Sequence, residues 1–195
     1  MKQQKSFRVA FCLAMLAIFS LSGWAQTTPD LSVAGVKLGD RDSAKMFLEG
    51  YSFRLDAQNR PVYMFFSKNG WEVLKLTAAS EKDEYFITEI EFFTVGRSYQ
   101  ERHYIADKFD SFETENGIFL GLRQSATSLL FGIPNKIGPK DLVKKKGEPK
   151  SRTEKDKRDV LTYESTNFST DKFNYSASYE FYKSTLKKVS LKISN

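Results

Sequence analysis

The feature that most constrains this chain is a sentence written twice. GVKLGDRDSAKMFLEG at residues 35–50 and GIFLGLRQSATSLLFG at 117–132 are identical at eight of sixteen positions, 82 residues apart. The matches include Gly35 and Gly117, Leu38 and Leu120, Gly39 and Gly121, and Gly50 and Gly132. An internal repeat implies that one supersecondary unit is built twice.

Each copy reads as a glycine-bounded extended piece followed by a short helix. Asp42 or Ser43 is placed to cap the first helix, since a small polar side chain accepts hydrogen bonds from free backbone amides. Ala44, Phe47, Leu48 and Tyr51 recur at helical spacing, as do Ala126, Leu129, Leu130 and Ile133. Gly50 and Gly132 end the two helices.

Strand patterns follow each helix. RPVYMFFS and WEVLKLT flank Asn69 and Gly70, a strong hairpin signal. In YFITEIEFF, Phe86, Thr88, Ile90 and Phe92 are expected on one face and Glu89 and Glu91 on the other. KFNYSASYEFY alternates Phe173, Tyr175, Ala177, Tyr179 and Phe181 with polar residues, and LKKVSLKIS alternates Val189, Leu191 and Ile193 with lysine and serine. DVLTYES reads as a weaker strand. A helix is expected over 99–109, either inside a linker or packed on the first sheet. The expected fold class is α+β. It comprises two tandem two-layer units, each a short helix or helix pair packed on a three- to four-stranded antiparallel sheet. The units span residues 26–112 and 113–195, the second carrying a basic helical insertion.

Residues 1–25 read as an address. Lys2, Lys5 and Arg8 precede the apolar run VAFCLAMLAIFSLS, and Gly23 and Ala25 supply the small residues of a cleavage site. The run is too short to span a bilayer, and no later stretch approaches the required length. The chain is therefore expected to be exported to the periplasm or secreted. Cys12, the only cysteine, leaves with this segment, which excludes disulfides and thiolate chemistry from the mature chain. The remaining charge is uneven. Residues 26–116 hold 11 basic and 16 acidic side chains, and 117–195 hold 16 and 8. Two units with different surfaces, or a drift between solvated faces, would each produce this.

The tandem order of glycine-bounded piece, helix, glycine, hairpin and strand, with LVKKKGEP at 142–149, resembles a known fold. It is shared by the beta-lactamase inhibitor protein and the small outer-membrane assembly lipoproteins of the SmpA/OmlA type. Gly147 and Pro149 match the phrase V-x-x-x-L-G-x-P, with Lys146 where leucine is usual. The resemblance implies a module that binds other proteins, in the inhibitor's case over a concave sheet. Two departures stand out: this chain has no lipobox, and its mature part has no cysteines.

Catalytic patterns are sparse. His103 is the only histidine and has no H-x-x-x-H partner, so no metal site or cofactor is expected. No serine lies in a nucleophile elbow. Glu89 and Glu91 share a strand face at roughly 7 Å, a separation compatible with glycoside hydrolysis but common on charged sheet faces. The chain is expected not to be an enzyme. Its distinguishing features are aromatic and basic. Tyr63 and Phe65 oppose Met64 and Phe66 across one strand, with Trp71 next to them, so some aromatics must meet the other unit or form an exposed patch. Residues 136–158 hold ten basic and four acidic side chains, including Lys144, Lys145 and Lys146. This run is either a solvated helix and loop or a weak contact for anionic surfaces. Without interleaved aromatics it does not point to nucleic acid. The candidate binding residues are Tyr63, Phe65, Trp71, Lys144, Lys145 and Lys146. The expected role is an exported binder of a protein or peptide, in the envelope or outside the cell. The alternative is a structural or assembly factor of the outer envelope.

Overall fold

The computed structural model describes residues 29–68, 70–96, 104–105, 109–121, 136–168 and 173–194, with backbone alone for 104–105 and 166–168. The expected signal segment, His103 and the second repeat's helix lie outside the described residues.

A small hairpin, β1 (Ser32–Val33) and β2 (Val36–Lys37), leads into helix α1 (Arg41–Leu48). The main sheet then takes β3 (Arg54–Leu55), β4 (Pro61–Phe66), β5 (Glu72–Ser80) and β6 (Asp83–Thr94) from the first half. After β7 (Tyr104–Ile105) and helix α2 (Pro139–Lys146), the second half adds β8 (Ser151–Lys155), β9 (Arg158–Phe168), β10 (Phe173–Tyr182) and β11 (Thr185–Ser194). The spatial order is β3-β4-β5-β6-β11-β10-β9-β8, with β7 parallel to β4 and every other pair antiparallel.

This order overturns the expected pair of α+β units. The chain is mostly β, and both halves feed one continuous sheet. Its seam is β6 against β11, running from Glu89 opposite Lys192 to Phe93 opposite Lys188. The physical reason lies in the edges. Two separate meanders would each expose a long strand with unpaired amides and carbonyls. Pairing them removes both edges and sets the acidic β6 against the basic β11, an arrangement that favours opposite charges across strands. The uneven charge of the two halves is thus partly spent on the seam.

The repeat survives as local geometry. Gly35 and Gly117 have φ of 87° and 70°, and Gly39 and Gly121 have 71° and 65°. Between them Val36 and Ile118 are fully buried, and Leu38 and Leu120 nearly so. The Gly39 N–H donates to Ile87 O, and the Gly121 N–H to Leu186 O, each at 2.9 Å. In both copies a left-handed turn therefore anchors the segment on a sheet strand. The cap of α1 is Asp40 rather than Asp42 or Ser43. Its carboxylate accepts from the Asp42 and Ser43 amides at 3.1 and 3.2 Å.

Both helices cover one face of the sheet. The Phe47 and Tyr51 rings each sit edge-on to Phe65 at 5.1 Å. Under them Tyr63, Leu76, Ile90, Leu191, Ala177 and Tyr163 form one row across six strands, and Phe65, Leu74, Phe92, Val189, Tyr179 and Leu161 form the next. The expected alternation in β6 breaks where its register with β5 shifts, between Thr77 and Ala78 and again between Ala78 and Ser80. At the first shift Thr88 is the extra residue, and Ile87 faces the core in place of Phe86 and Thr88. Strand β8 was unforeseen, because SRTEK has only exposed polar side chains, as suits an edge strand. Over 99–109 the expected helix is interrupted by β7, and the residues around β7 lie outside the described residues.

The elements on the helix side converge on Asp30, which is fully buried. Its carboxylate lies 2.8 Å from the Lys146 ammonium at the end of α2. It also accepts from Thr114 Oγ1 at 2.8 Å, from Asn116 Nδ2 at 2.7 Å and from the Tyr179 hydroxyl. The Tyr175 hydroxyl donates to the Asp30 carbonyl at 2.8 Å. Burial, and next the Asp30 charge, hold both phenols well above their ordinary pKa, so both remain protonated donors.

An unpaired buried charge is far costlier than a buried pair. Lys146→Met is therefore expected to destabilise the protein by about 3–5 kcal/mol. Asp30→Asn combined with Lys146→Met should recover a substantial part, because no naked charge remains. Urea unfolding of both variants measures this; a double variant no more stable than Lys146→Met alone would contradict it.

Candidate binding surface

The opposite face of the sheet is set by the same registers. Met64, Lys75, Glu91, Ser190, Ser178 and Thr162 form one outer row; Phe66, Val73, Phe93, Lys188, Glu180 and Val160 form the next. A groove of about 510 Å³ opens across the seam, with Met64 and Phe93 as its apolar floor and Lys75, Glu91, Glu180, Lys187 and Lys188 around them. A mixed face of this kind, apolar at its centre and charged around it, has the anatomy of a protein-binding patch.

The predicted residues scatter. Tyr63 and Phe65 are 1% and 0% exposed and lie in the core under α1, so they form no part of this surface. Their strand neighbours Met64 and Phe66 occupy the outer face instead. The inference was out by one residue, which in a strand exchanges the faces. Lys75 held the missing signal. Residues paired across strands share a face, and the hairpin at Gly70 sets Met64 opposite Lys75 and Phe65 opposite Leu74. Trp71 is half exposed at the β4–β5 turn, near one end of the sheet. On α2, Lys144 and Lys145 are exposed, but on the helix-bearing side. Lys146 is 5% exposed and committed to Asp30, so the basic triplet is not one surface.

Glu91 is the electrostatic centre of the groove. Its carboxylate accepts from Lys75 Nζ at 3.0 Å, Ser190 Oγ at 2.8 Å and Lys188 Nζ. Burial alone would raise its pKa. The bonds from Lys188, Lys75 and Ser190 outweigh burial and bring it down to about 2. A general acid at neutral pH needs a shift in the other direction. Glu89 faces Arg60 at 3.7 Å. The two glutamates thus belong to charge networks on either side of one strand position. Among the described residues no three His, Cys, Asp or Glu side chains are grouped to hold a metal ion, and no helix is long and apolar enough to cross a membrane.

Neither a protein-family profile, nor a curated protein, nor a solved structure matches the chain. The resemblance to the inhibitor and lipoprotein fold accordingly rests on the sequence motifs alone.

The Glu91 shift makes a pH prediction. A carboxylate whose folded pKa lies below its unfolded value stabilises the fold above the unfolded pKa. That contribution is lost as the pH falls through the folded one. The window runs from the ordinary 4.5 down to about 2, and the contribution is about 3 kcal/mol. Glu91→Gln should flatten the stability profile across this window. Denaturant midpoints from pH 6 to pH 2 provide the measurement; a variant that loses stability as steeply as the parent would refute the assignment.

Proposed function

We propose that the protein is an exported, non-enzymatic module that binds a protein or peptide of the bacterial envelope or cell exterior. The outer face of its sheet is the contact surface. One observation carries this reading: the groove over the seam, where Met64 and Phe93 lie among paired lysines and glutamates on the face opposite both described helices. A face built only for solvent has no need of the Met64 thioether at its centre. The ion pairs around them supply orientation, since complementary charge sets register and encounter rate more than affinity. The locked Glu91 network favours binding over catalysis, because it holds its carboxylate ionised and immobile. Export is supported by the charged, apolar and small-residue order of residues 1–25.

The test is capture from envelope extract by the immobilised protein, read by mass spectrometry. Met64→Asp with Lys187→Glu alters the groove at two half-buried positions. Met46→Asp, on the exposed side of α1 at 86% exposure, is the control. Proteins held by the parent and the control but released by the groove variant are expected, with melting temperatures of all three alike. Equal capture by all three would remove the groove from the reading; no capture at all would remove binding.

A further inference from the structure

A second cleft, of about 550 Å³, lies on the helix-bearing side at the far end of the second half. Its floor is formed by two hairpin turns placed side by side, residues 156–157 between β8 and β9 and residues 183–184 between β10 and β11. The Lys183 N–H donates to Lys157 O at 3.0 Å and locks the turns together. The N-terminus of α2 closes one side. A Cβ on Gly138 would stand 3.6 Å from the Ser184 carbonyl oxygen, so helix and turn are in near contact.

The cleft is cationic, and its carboxylates are largely engaged. Asp141 accepts from the Gly138 N–H at 2.9 Å. Asp159 takes both Nε and Nη2 of Arg152, at 3.0 and 2.6 Å. Lys136, Lys140, Lys157 and Lys183 also line the cleft, and none of them forms an ion pair among the described residues. Gly138 has no side chain to cap the first-turn amides of α2, and Pro139 follows it. These amides and the helix dipole favour negative charge at this end.

The turns add an independent observation. Both are of type I′, which needs positive φ at both central positions and favours Asn-Gly. Here the positions are Asp156, Lys157, Lys183 and Ser184, at 51°, 67°, 50° and 59°. Lysine is strained at such a position where glycine would not be, as Ala34 is in the β1–β2 turn. Both turn lysines line the cleft, and the Lys183 ammonium also lies 5.5 Å from the centre of the Tyr182 ring.

We propose that this cleft binds a compact polyanion carrying two or more phosphate groups. Four lysines and a helix N-terminus exceed what one monovalent anion needs, and the volume holds more than a single phosphate. Ammonium groups on flexible stems suit phosphate oxygens, which can be approached from several directions. The phosphates belong either to a free phosphorylated compound or to a lipid headgroup. The site lies apart from the outer-face groove and does not depend on it.

Inorganic pyrophosphate titrated calorimetrically into the purified protein is the first probe. Co-sedimentation with cardiolipin vesicles, whose headgroup carries two phosphates, against phosphatidylcholine vesicles, is the second. Saturable binding in either arm supports the site: pyrophosphate alone indicates a free compound, and selective vesicle binding a headgroup. The deciding variant is Lys157→Gly with Lys183→Gly. Relaxing both turns should raise the melting temperature by a few degrees while weakening binding about tenfold or more. A gain in stability with a loss of affinity cannot come from misfolding. Lys144→Gln with Lys145→Gln removes the same charge from outside the cleft and should leave affinity unchanged. If that pair weakens binding equally, or if neither probe binds, the proposal is overturned.

Discussion

The buried pair of Asp30 and Lys146 is the contact on which the helix-bearing layer depends. It joins four parts of the chain far apart in sequence: the segment before β1, the stretch containing Thr114 and Asn116, the end of α2, and the tyrosines of β10. Of these, only the tyrosines of β10 are held in place by the ladder of the main sheet. The stretches just before the two repeat segments also meet here. Val33 bridges to Thr114, and the Glu115 carboxylate accepts from the Leu31 N–H at 2.6 Å and from Ser32 Oγ. A buried ion pair is not a strong source of net stability, because two charges must leave water to form it. Its effect here is to select one arrangement. Any other docking of these segments would leave a carboxylate or an ammonium in the core without its partner.

The seam between β6 and β11 works on the same logic at lower cost. Glu91 with Lys75 and Lys188, and Glu89 opposite Lys192, couple an acidic strand to a basic one on the outer face. Beneath them Ile90 against Leu191 and Phe92 against Val189 close the core. The apolar row would tolerate a shift of two residues along the strand, since alternation would be preserved. The charges would not, because such a slip would set glutamates and lysines against the wrong neighbours. Register across the seam is therefore specified from the wet side and stabilised from the dry side.

Much of this was legible residue by residue. The alternation in β10 and β11 predicted Phe173, Tyr175, Ala177, Tyr179 and Phe181 inside, with Val189, Leu191 and Ile193, and all are buried except the half-buried Phe173. The paired glycines predicted the turns. What failed was whatever depended on distant partners. The two strand sets carry no local mark saying whether they close separately or join, and only the charge imbalance hinted at joining. Asp30 sits in an unremarkable polar stretch, and Lys146 in a run of lysines that reads as solvated. One signal did exist. Lys146 stands where the phrase V-x-x-x-L-G-x-P has leucine, a position expected to be apolar. A lysine there is either exposed by a change of fold or buried with a partner, and the structure supplies the partner. Tyr63 and Phe65 fall in the core for a simpler reason: the polarity of Lys75 across the hairpin, not aromatic size, decides which face of β4 is wet.

The tight turns separate structural from functional constraint. Where β1 turns into β2, positive φ falls on Ala34 and Gly35, so a glycine relieves one of the two strained positions. At Asp156 and Lys157, and again at Lys183 and Ser184, neither turn uses a glycine. A left-handed conformation costs an ordinary residue about 1–2 kcal/mol relative to glycine. Lys157, Lys183 and Ser184 bear that cost together at one end of the sheet; Asp156, like Asn59 elsewhere, is of a type that adopts this conformation more readily. Hairpin closure does not require lysine at either turn. Both lysines line the cleft at the start of α2, so the strained positions and the cationic lining coincide.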